Sequence, residues 1–240
     1  MNTTKARVDI VGLKEGLYDI KITTSSQTIL TSNEIFTERH DRSGYAHFNF
    51  TEGIGGYLDD GTLKPDAIVV YVTEENKNQI TIPGIGQVGL GWILNNNQYQ
   101  SNASNTYNPS AYVTSIATFN KPLVFRFIGR VTVPEGATIY NSTNQGGSVG
   151  DNGNMVRIKN ANHMNLEGIG EDAVIDGWGF HFMASTSNRG IGFEVRNLTF
   201  ENYAEDAIGM EGTDIVPARR AWWHNLTFYS GYHPNPAESD

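Results

Sequence analysis

Three short stretches of this chain repeat one another: Met164-Asn-Leu-Glu-Gly168, Arg196-Asn-Leu-Thr-Phe200 and His224-Asn-Leu-Thr-Phe228. Their asparagines, Asn165, Asn197 and Asn225, are 32 and then 28 residues apart. Repetition at this period indicates stacked units that bury a core only together. Because each unit is strand-like, the repeats predict an all-β fold of the parallel β-helix type. Asparagine at matching turns accepts left-handed backbone angles and can bond its amide to the next coil.

Length, composition and charge narrow the classes of protein. The 240 residues suffice for one large all-β domain or two smaller ones, and no apolar run approaches the ~20 residues of a membrane span. The absence of cysteine excludes disulfides, thiolate metal sites and a cysteine nucleophile. A net charge of −9 argues against nucleic acid as a partner. An acidic protein can still bind an acidic polymer through bridging divalent cations.

The first 42 residues form a separate pattern. Residues 6–13 and 17–23 alternate apolar and polar side chains around a turn at Glu15 and Gly16, which predicts an antiparallel β-hairpin. Two or three strands make only part of a sandwich, so residues 1–42 are predicted to be a sandwich fragment. The start lacks a hydrophobic signal region, and we expect it to have been trimmed from an exported protein.

Residues 43–240 contain loops, one helix candidate and a series of short strands. Residues 43–66 are predicted to be loop, and residues 109–120 a helix. The run 67–73 predicts a strand buried on both faces, and 121–133 gives the strongest strand pattern. Further strands are predicted at 155–159, 164–169, 173–175, 193–200 and 221–228. Nothing between them is long enough for the helical crossovers of a doubly wound fold.

Several of these segments together resemble the pectate lyases of polysaccharide lyase family 1. The similar segments are Asn120-Lys-Pro-Leu-Val-Phe-Arg-Phe-Ile-Gly-Arg-Val131, Gly146–Met155, Leu166-Glu-Gly-Ile-Gly-Glu-Asp-Ala-Val-Ile-Asp-Gly177, Phe193–Phe200, Glu205-Asp-Ala-Ile-Gly-Met-Glu-Gly212 and Pro234–Asp240. Their order and spacing carry the resemblance. Residues 1–42 resemble the tail of a fibronectin-III-like sandwich.

The resemblance implies a right-handed parallel β-helix that cleaves polygalacturonate, or pectin, by calcium-dependent β-elimination. In this family acidic side chains hold Ca²⁺ against the uronate groups, and an arginine removes the C5 proton. Calcium accepts flexible oxygen ligands and can share them with a sugar acid. The resemblance also implies a secreted protein, expected to be a monomer, whose partner is the polysaccharide.

Asp206 matches the family's acidic position before an aliphatic strand, and the resemblance therefore assigns it as a calcium ligand. Glu205 ranks lower, since adjacent strand residues face opposite ways, and Glu211 is expected to be solvated. Arg219 and Arg220 are expected to have a surface role. The other calcium ligands and the arginine base are expected beyond residue 240, so no catalytic residue is assigned and this chain alone is expected to be inactive.

The resemblance breaks at Trp222-Trp223-His224-Asn225, where the family usually has Trp-Ile-Asp-His before its asparagine. His224 keeps the histidine position, but Trp223 stands where an aspartate is expected. No second histidine or cysteine lies at ligand spacing, so His224 is predicted to be packed or hydrogen-bonded rather than bound to a metal.

Three alternatives remain open on the sequence. A non-catalytic β-helical carbohydrate-binding protein or adhesin would need neither a base nor a second acidic loop. A glycoside hydrolase on the same fold would need two carboxylates at a fixed separation and would give saturated ends. A pectin lyase would act on methylated polymer without calcium, and Asp206 favours pectate.

Overall fold

A computed structural model describes residues 8–23, 25–83, 86–96, 122–135, 139–140, 155–159, 163–183, 191–203, 206–212 and 219–229. Strands dominate this part of the chain, and one seven-residue α-helix accompanies them. The all-β class expected from the sequence is confirmed. The helix predicted at 109–120 lies outside the described residues.

The N-terminal strands form a two-stranded antiparallel sheet of β1 (Gly16–Thr23) and β2 (Thr28–Thr37). The predicted hairpin is wrong in its first strand: residues 8–15 are not a strand, and β1 pairs with the segment that follows it. Alternation alone does not choose a partner, and a short connection between 23 and 28 favours the hairpin that forms. Residues 8–13 instead pass over the parallel sheet, where Gly12 lies against Tyr57.

Residues 40–64 form loops with a 3₁₀ turn at Tyr45–His47, as the prediction of loop at 43–66 requires. Ala46, Ile54 and Tyr57 are nevertheless buried, so this segment belongs partly to the core. The next elements are β3 (Ile68–Val72), β4 (Ile80–Ile82), β5 (Gly86–Val88) and α1 (Leu90–Asn96). Val70 and Val72 are buried in β3 but Tyr71 is half exposed, so the expectation of two buried faces is wrong for this strand.

Two parallel sheets make up the rest. The first contains β3, β6 (Leu123–Phe127), β10 (Met164–Gly168), β13 (Ile191–Glu201) and β15 (Arg219–Phe228) as successive neighbours. In the same sheet β11 (Val174–Asp176) pairs with the far half of β13, and β7 (Arg130–Thr132) pairs with β11. The second contains β8 (Ile139–Tyr140), β9 (Met155–Lys159), β12 (Gly179–Met183) and β14 (Ile208–Glu211). Every pair in these sheets is parallel except β8 with β9.

The predicted strand at 121–133 is two strands, β6 and β7. Gly129 separates them with a positive φ of 67°, a backbone angle that glycine adopts without a Cβ penalty. The chain turns a corner there and returns as β9 in the second sheet. β12, which the sequence did not predict, makes the same return after β11.

The pairing register of the strands shows which residues of successive strands are equivalent, and it differs from the repeat that the sequence suggested. Leu123, Met164, Phe193 and Ala221 are directly aligned, at intervals of 41, 29 and 28 residues. Asn165 is aligned with Glu194 and not with Asn197, so its assignment to the repeat is wrong.

Asn197 and Asn225 do have equivalent positions, both with positive φ. The Asn197 amide donates to the carbonyls of Gly168 and Gly170 at 2.6 and 3.0 Å, as expected for an amide that bridges coils.

The core lies between the two sheets and is rich in aromatic rings. Phe182 stacks on Phe193 with ring centroids 4.4 Å apart, and Phe180 meets Phe200 edge-on at 5.6 Å. Trp178 is fully buried and donates its indole N–H to the Val131 carbonyl. Burying each large apolar side chain contributes ~1.5–3 kcal/mol, so these rings, with the aliphatic side chains around them, hold the two sheets together.

Candidate functional site

Asp206, the assigned calcium ligand, lies just before β14 and its side chain is exposed. Its position is fixed by the backbone: Phe180 donates its N–H to the carbonyl of Ala207, and Gly179 lies against the carbonyls of Asp206 and Ala207. A Cβ at Gly179 would come within 2.3 Å of the Ala207 oxygen, so only glycine permits this approach. The carboxylate therefore points away from the apolar interior.

Asp206 fits a calcium ion as one oxygen ligand. Ca²⁺ takes about six to eight oxygens, and within the described ranges no group of three or more His, Cys, Asp or Glu residues is arranged to hold a metal ion. Glu205 lies outside the described residues. Glu211 is half exposed, as expected, and lies 3.6 Å from Nε2 of His181. The resemblance places the other protein ligands of such an ion beyond residue 240.

The most elaborate arrangement of polar groups lies elsewhere, on the outer face of the first sheet. Tyr71, Arg126, Glu167, Arg196 and His224 occupy one aligned row across five neighbouring strands. We call these five residues the charge row. Arg126 donates to Glu167 Oε1 at 2.9 Å and to the Tyr71 hydroxyl at 2.9 Å. Arg196 donates to Glu167 Oε2 through Nε and Nη2, at 3.0 and 2.7 Å.

Glu167 is thus a buried carboxylate held between two guanidinium groups, and its side chain is only 2% exposed. Burial lowers the pKa of Arg126, but hydrogen bonds to Tyr57 and Glu167 outweigh burial and leave this pKa above its ordinary value. The charges of Glu194 and Glu167 likewise outweigh burial at Arg196 and raise its pKa. Both arginines are therefore fixed as cations.

A second row lies two residues earlier and contains Asn165, Glu194 and Trp222. His224 donates from Nε2 to Glu194 Oε1 at 2.7 Å, and the Asn165 amide donates to Glu194 Oε2. Burial raises the pKa of Glu194, but the His224 hydrogen bond and the charge of Arg196 prevail and hold it below its ordinary value. The prediction that His224 is a bonded histidine is confirmed.

Loop residues cover the charge row. The Tyr57 hydroxyl donates to Glu167 Oε1 at 2.5 Å and accepts from Arg126 at 3.2 Å, while Arg196 lies over the Tyr57 ring at 4.8 Å. Burial, and then the charge of Glu167, raise the pKa of Tyr57. The Gly56 N–H donates to Asn165 Oδ1, which attaches the same loop to the second row.

Three aromatic side chains, Trp222, His47 and His40, pack beside His224 at one end of the charge row. His47 meets Trp222 edge-on with ring centroids 4.9 Å apart. His224 stacks on Trp222 with ring centroids 3.8 Å apart. His40 lies 5.8 Å from His47. Burial, with Arg42 nearby, lowers the pKa of His47 to about 4, and burial also lowers the pKa of His40. Among the described residues, neither ring nitrogen of His47 has a hydrogen-bond partner.

Arg220 attaches the loop at residues 46–50 to β15. Its Nη1 donates to the carbonyls of Ala46 and Phe48 at 3.0 and 3.1 Å, and its guanidinium lies 4.1 Å from the centre of the Phe50 ring. Arg219 is exposed. Of the two arginines expected at the surface, one is therefore a structural link between β15 and residues 46–50.

A cleft of about 260 Å³ opens where residues 10–13 and the end of β2 pass over β13. Ile10, Val11, Gly12 and Leu13 form one side, and Thr37, Glu38, His40, Gly61 and Arg196 complete the lining. The sequence did not point to this cleft, since its walls come from four separate places in the chain. An alignment of the strands by their inward apolar residues would have shown the alternating charges of Arg126, Glu167 and Arg196.

The comparisons with known proteins give no assignment: no family model, curated protein or solved structure matches this chain. In the described part of the chain, no helix has both the length and the apolar character to cross a membrane. The function is therefore argued from the residues themselves.

Proposed function

We propose that the parallel strands are successive coils of a right-handed parallel β-helix, and that the protein is a secreted, calcium-dependent pectate lyase acting on polygalacturonate. The coil arrangement supports the fold, because β6–β7–β9 and β10–β11–β12 each contribute strands to both sheets in the same order. Parallel crossovers are right-handed in about 98% of cases, which favours that handedness.

One observation carries the function: the exposed Asp206 carboxylate stands on the outer surface at the start of β14. Three segments that resemble pectate lyases contain strands of the first sheet in chain order: 120–131 contains β6, 166–177 contains β11, and 193–200 lies within β13. An exposed carboxylate at a coil corner can share a hard cation with the carboxylates of a polymer lying across the coils.

Calcium, when bound, would polarise a uronate carboxylate and make the neighbouring C5 proton more acidic. Asp206 would hold the ion, and the packing of Gly179 against the Asp206 and Ala207 carbonyls would hold the Asp206 backbone. Arg126 and Arg196 do not suit removal of a proton, since their ion pairs raise their pKa values. Hydrogen bonds to Glu201 and Asp176 raise the pKa of Arg130 as well. No described arginine is therefore assigned as the base.

The alternative that the sequence left open is a non-catalytic polygalacturonate-binding protein of the same fold. Both candidates use Asp206 and calcium to bind the polymer, and only the lyase forms a product. The product of β-elimination contains an unsaturated sugar that absorbs in the near ultraviolet, which distinguishes the two.

The test measures polygalacturonate binding and near-ultraviolet absorbance, in calcium and in chelator. We expect binding that requires calcium and that Asp206→Asn weakens roughly tenfold, the effect of about 1.4 kcal/mol. Glu171→Gln, a change to another exposed carboxylate, is the matched control. Binding in chelator equal to that in calcium would refute the metal-bridged contact, and growth of the absorbance would identify the lyase and overturn the expectation that this chain alone is inactive.

A further inference from the structure

The cleft beside Arg196 is a separate place from Asp206. It lies on the outer face of the first sheet, whereas Asp206 packs its backbone on Gly179 of the second sheet. We call it the Arg196 cleft. Its polar and apolar sides come from different segments, so a ligand there would contact both residues 10–13 and β13.

Arg196 gives this cleft a fixed cationic group. Nε and Nη2 are bound to Glu167, the guanidinium rests over the Tyr57 ring, and Nη1 lies 3.6 Å from Glu194 Oε1, beyond hydrogen-bond distance. The side chain is 21% exposed, and Arg196 lines the cleft. Among the described residues no acceptor lies within hydrogen-bond distance of Nη1, and a guanidinium held in place loses little entropy when it binds a carboxylate.

The charge around Arg196 selects the kind of anion. Glu167 and Glu194 already compensate Arg126 and Arg196, and Glu38 adds a negative charge at the cleft wall. Burial lowers the pKa of His40, which therefore adds no positive charge near neutral pH. Two guanidinium groups here face three carboxylates, so a dianion such as phosphate would be repelled more strongly than a monoanion.

The rest of the lining suits a hydroxylated ring. Thr37, Glu38 and His40 provide hydrogen-bonding groups on one side, and Ile10 and Leu13 provide an aliphatic wall on the other. The volume of about 260 Å³ is below the roughly 300–1,000 Å³ of drug-sized pockets, which limits the ligand to about one ring.

We propose that the Arg196 cleft binds a single carboxylated sugar ring, with its carboxylate on Arg196 Nη1, its hydroxyls on Thr37, Glu38 and His40, and its C–H face on Ile10 and Leu13. This site uses neither Asp206 nor calcium, and it stands or falls independently of the proposed function. It would hold one uronate residue whether or not the protein cleaves a polymer.

The test is a titration of the protein with D-galacturonate in chelator, followed by isothermal calorimetry or by NMR shifts. D-galactose, which has the same ring without the carboxylate, is the control ligand, and inorganic phosphate tests the charge argument. We expect saturable galacturonate binding, at least roughly tenfold weaker binding of galactose, and weaker binding of phosphate than of galacturonate. Equal binding of galactose and galacturonate, or no galacturonate binding at all, would overturn the proposal.

Two tryptophan variants test where the ligand binds, and neither replaces a residue of the charge row. Ile10 is 53% exposed, so Ile10→Trp can fill the cleft without a change in the core, and Val8→Trp is the matched control because Val8 is 80% exposed and does not line the cleft. We expect Ile10→Trp to weaken galacturonate binding roughly tenfold or more and Val8→Trp to leave it unchanged. Asp206→Asn should also leave it unchanged. Binding that survives Ile10→Trp, or that is lost in Asp206→Asn, would contradict the proposed location.

Discussion

The hydroxyl of Tyr57 lies 2.5 Å from Oε1 of Glu167, although 110 residues separate them in the sequence. This contact attaches the loop at 53–64 to the centre of the charge row. It is a charge-assisted hydrogen bond between buried groups, the kind whose loss costs more than that of an exposed one. The first two predictions test its two ends.

Replacing Glu167 should strongly destabilise the protein. Glu167→Gln leaves Arg126 and Arg196 beside each other without their shared carboxylate, and breaking a buried ion pair from one side costs about 3–5 kcal/mol. Urea unfolding monitored by circular dichroism measures the change. Glu171→Gln, at an exposed position, should change stability by less than about 0.5 kcal/mol. A Glu167 variant as stable as this control would show that the two guanidinium groups do not need the carboxylate.

Removing the Tyr57 hydroxyl should have a smaller and more local effect. Tyr57→Phe keeps the ring under Arg196 but leaves Glu167 without one donor, which should cost about 1–3 kcal/mol. Amide hydrogen exchange should become faster at residues 53–64, while the amides of β10 and β12 stay protected. Uniform loss of protection across both sheets would mean that the loop and the sheets unfold as one unit.

Stability should fall as the pH is lowered from 7 to 5. The pKa of His47 is depressed to about 4 in the folded protein, against ~6.5 in the unfolded chain, so the unfolded state binds more protons in this window. The depressed pKa of His40 acts in the same direction. Glu194 contributes only at lower pH, since its depressed carboxyl pKa matters below its unfolded value.

One extra proton bound by the unfolded state changes the free energy of unfolding by at most ~1.4 kcal/mol per pH unit. His47→Phe should flatten the dependence of the urea midpoint on pH, because the phenyl ring can pack on Trp222 and cannot be protonated. Burial, and then the charge of Lys64, lower the pKa of His163 as well, so His163→Phe should remove a separate part of the same slope. A slope between pH 7 and 5 that is the same in the parent protein and in His47→Phe would assign the titration elsewhere.

The spacing between coils should depend on Gly168. A Cβ at this position would lie 1.9 Å from the carbonyl oxygen of Asn197, so Gly168→Ala must shift the backbone of β10 or β13. Overpacking of this kind costs about 1–3 kcal/mol. The comparison is Gly129→Ala, where a Cβ meets nothing within 4 Å and only the positive φ opposes it, at about 1–2 kcal/mol.

Thermal unfolding should give the lower midpoint for Gly168→Ala, and its Asn197 side-chain amide should shift in the NMR spectrum. The opposite order of the two midpoints would mean that the coils adapt easily to a wider spacing.

The sequence anticipated the strands of the second half because their apolar residues point to one core. β9, β10, β11, β13 and β15 all lie where alternation and Gly or Asn boundaries placed them. β12 was missed because its Gly-Phe-His-Phe-Met pattern follows β11 after only two residues. The corner between them is too short to leave a turn signature that stands apart from the strands.

Register and pairing were harder to anticipate. Asn165 entered the repeat because its neighbours look like those of Asn197, yet the alignment follows the inward residues Met164 and Phe193. The first hairpin was assigned to the wrong pair of segments because alternation describes a face and not a partner. The charge row was missed for the same reason: Arg126, Glu167 and Arg196 meet only once the register is known. Asp206 remains an inference from resemblance.

Arg220 binds the carbonyls of Ala46 and Phe48, more than 170 residues earlier in the chain. During synthesis, the carbonyls of residues 46–50 can accept these hydrogen bonds only after β15, which contains Arg220, has been made. The loop at residues 46–50 therefore reaches its final set of hydrogen bonds only after β15 has been synthesised and paired. Contacts of such long sequence separation slow folding, so we expect proteases to cleave residues 46–50 more readily in a ribosome-bound chain that lacks β15 than in the folded protein.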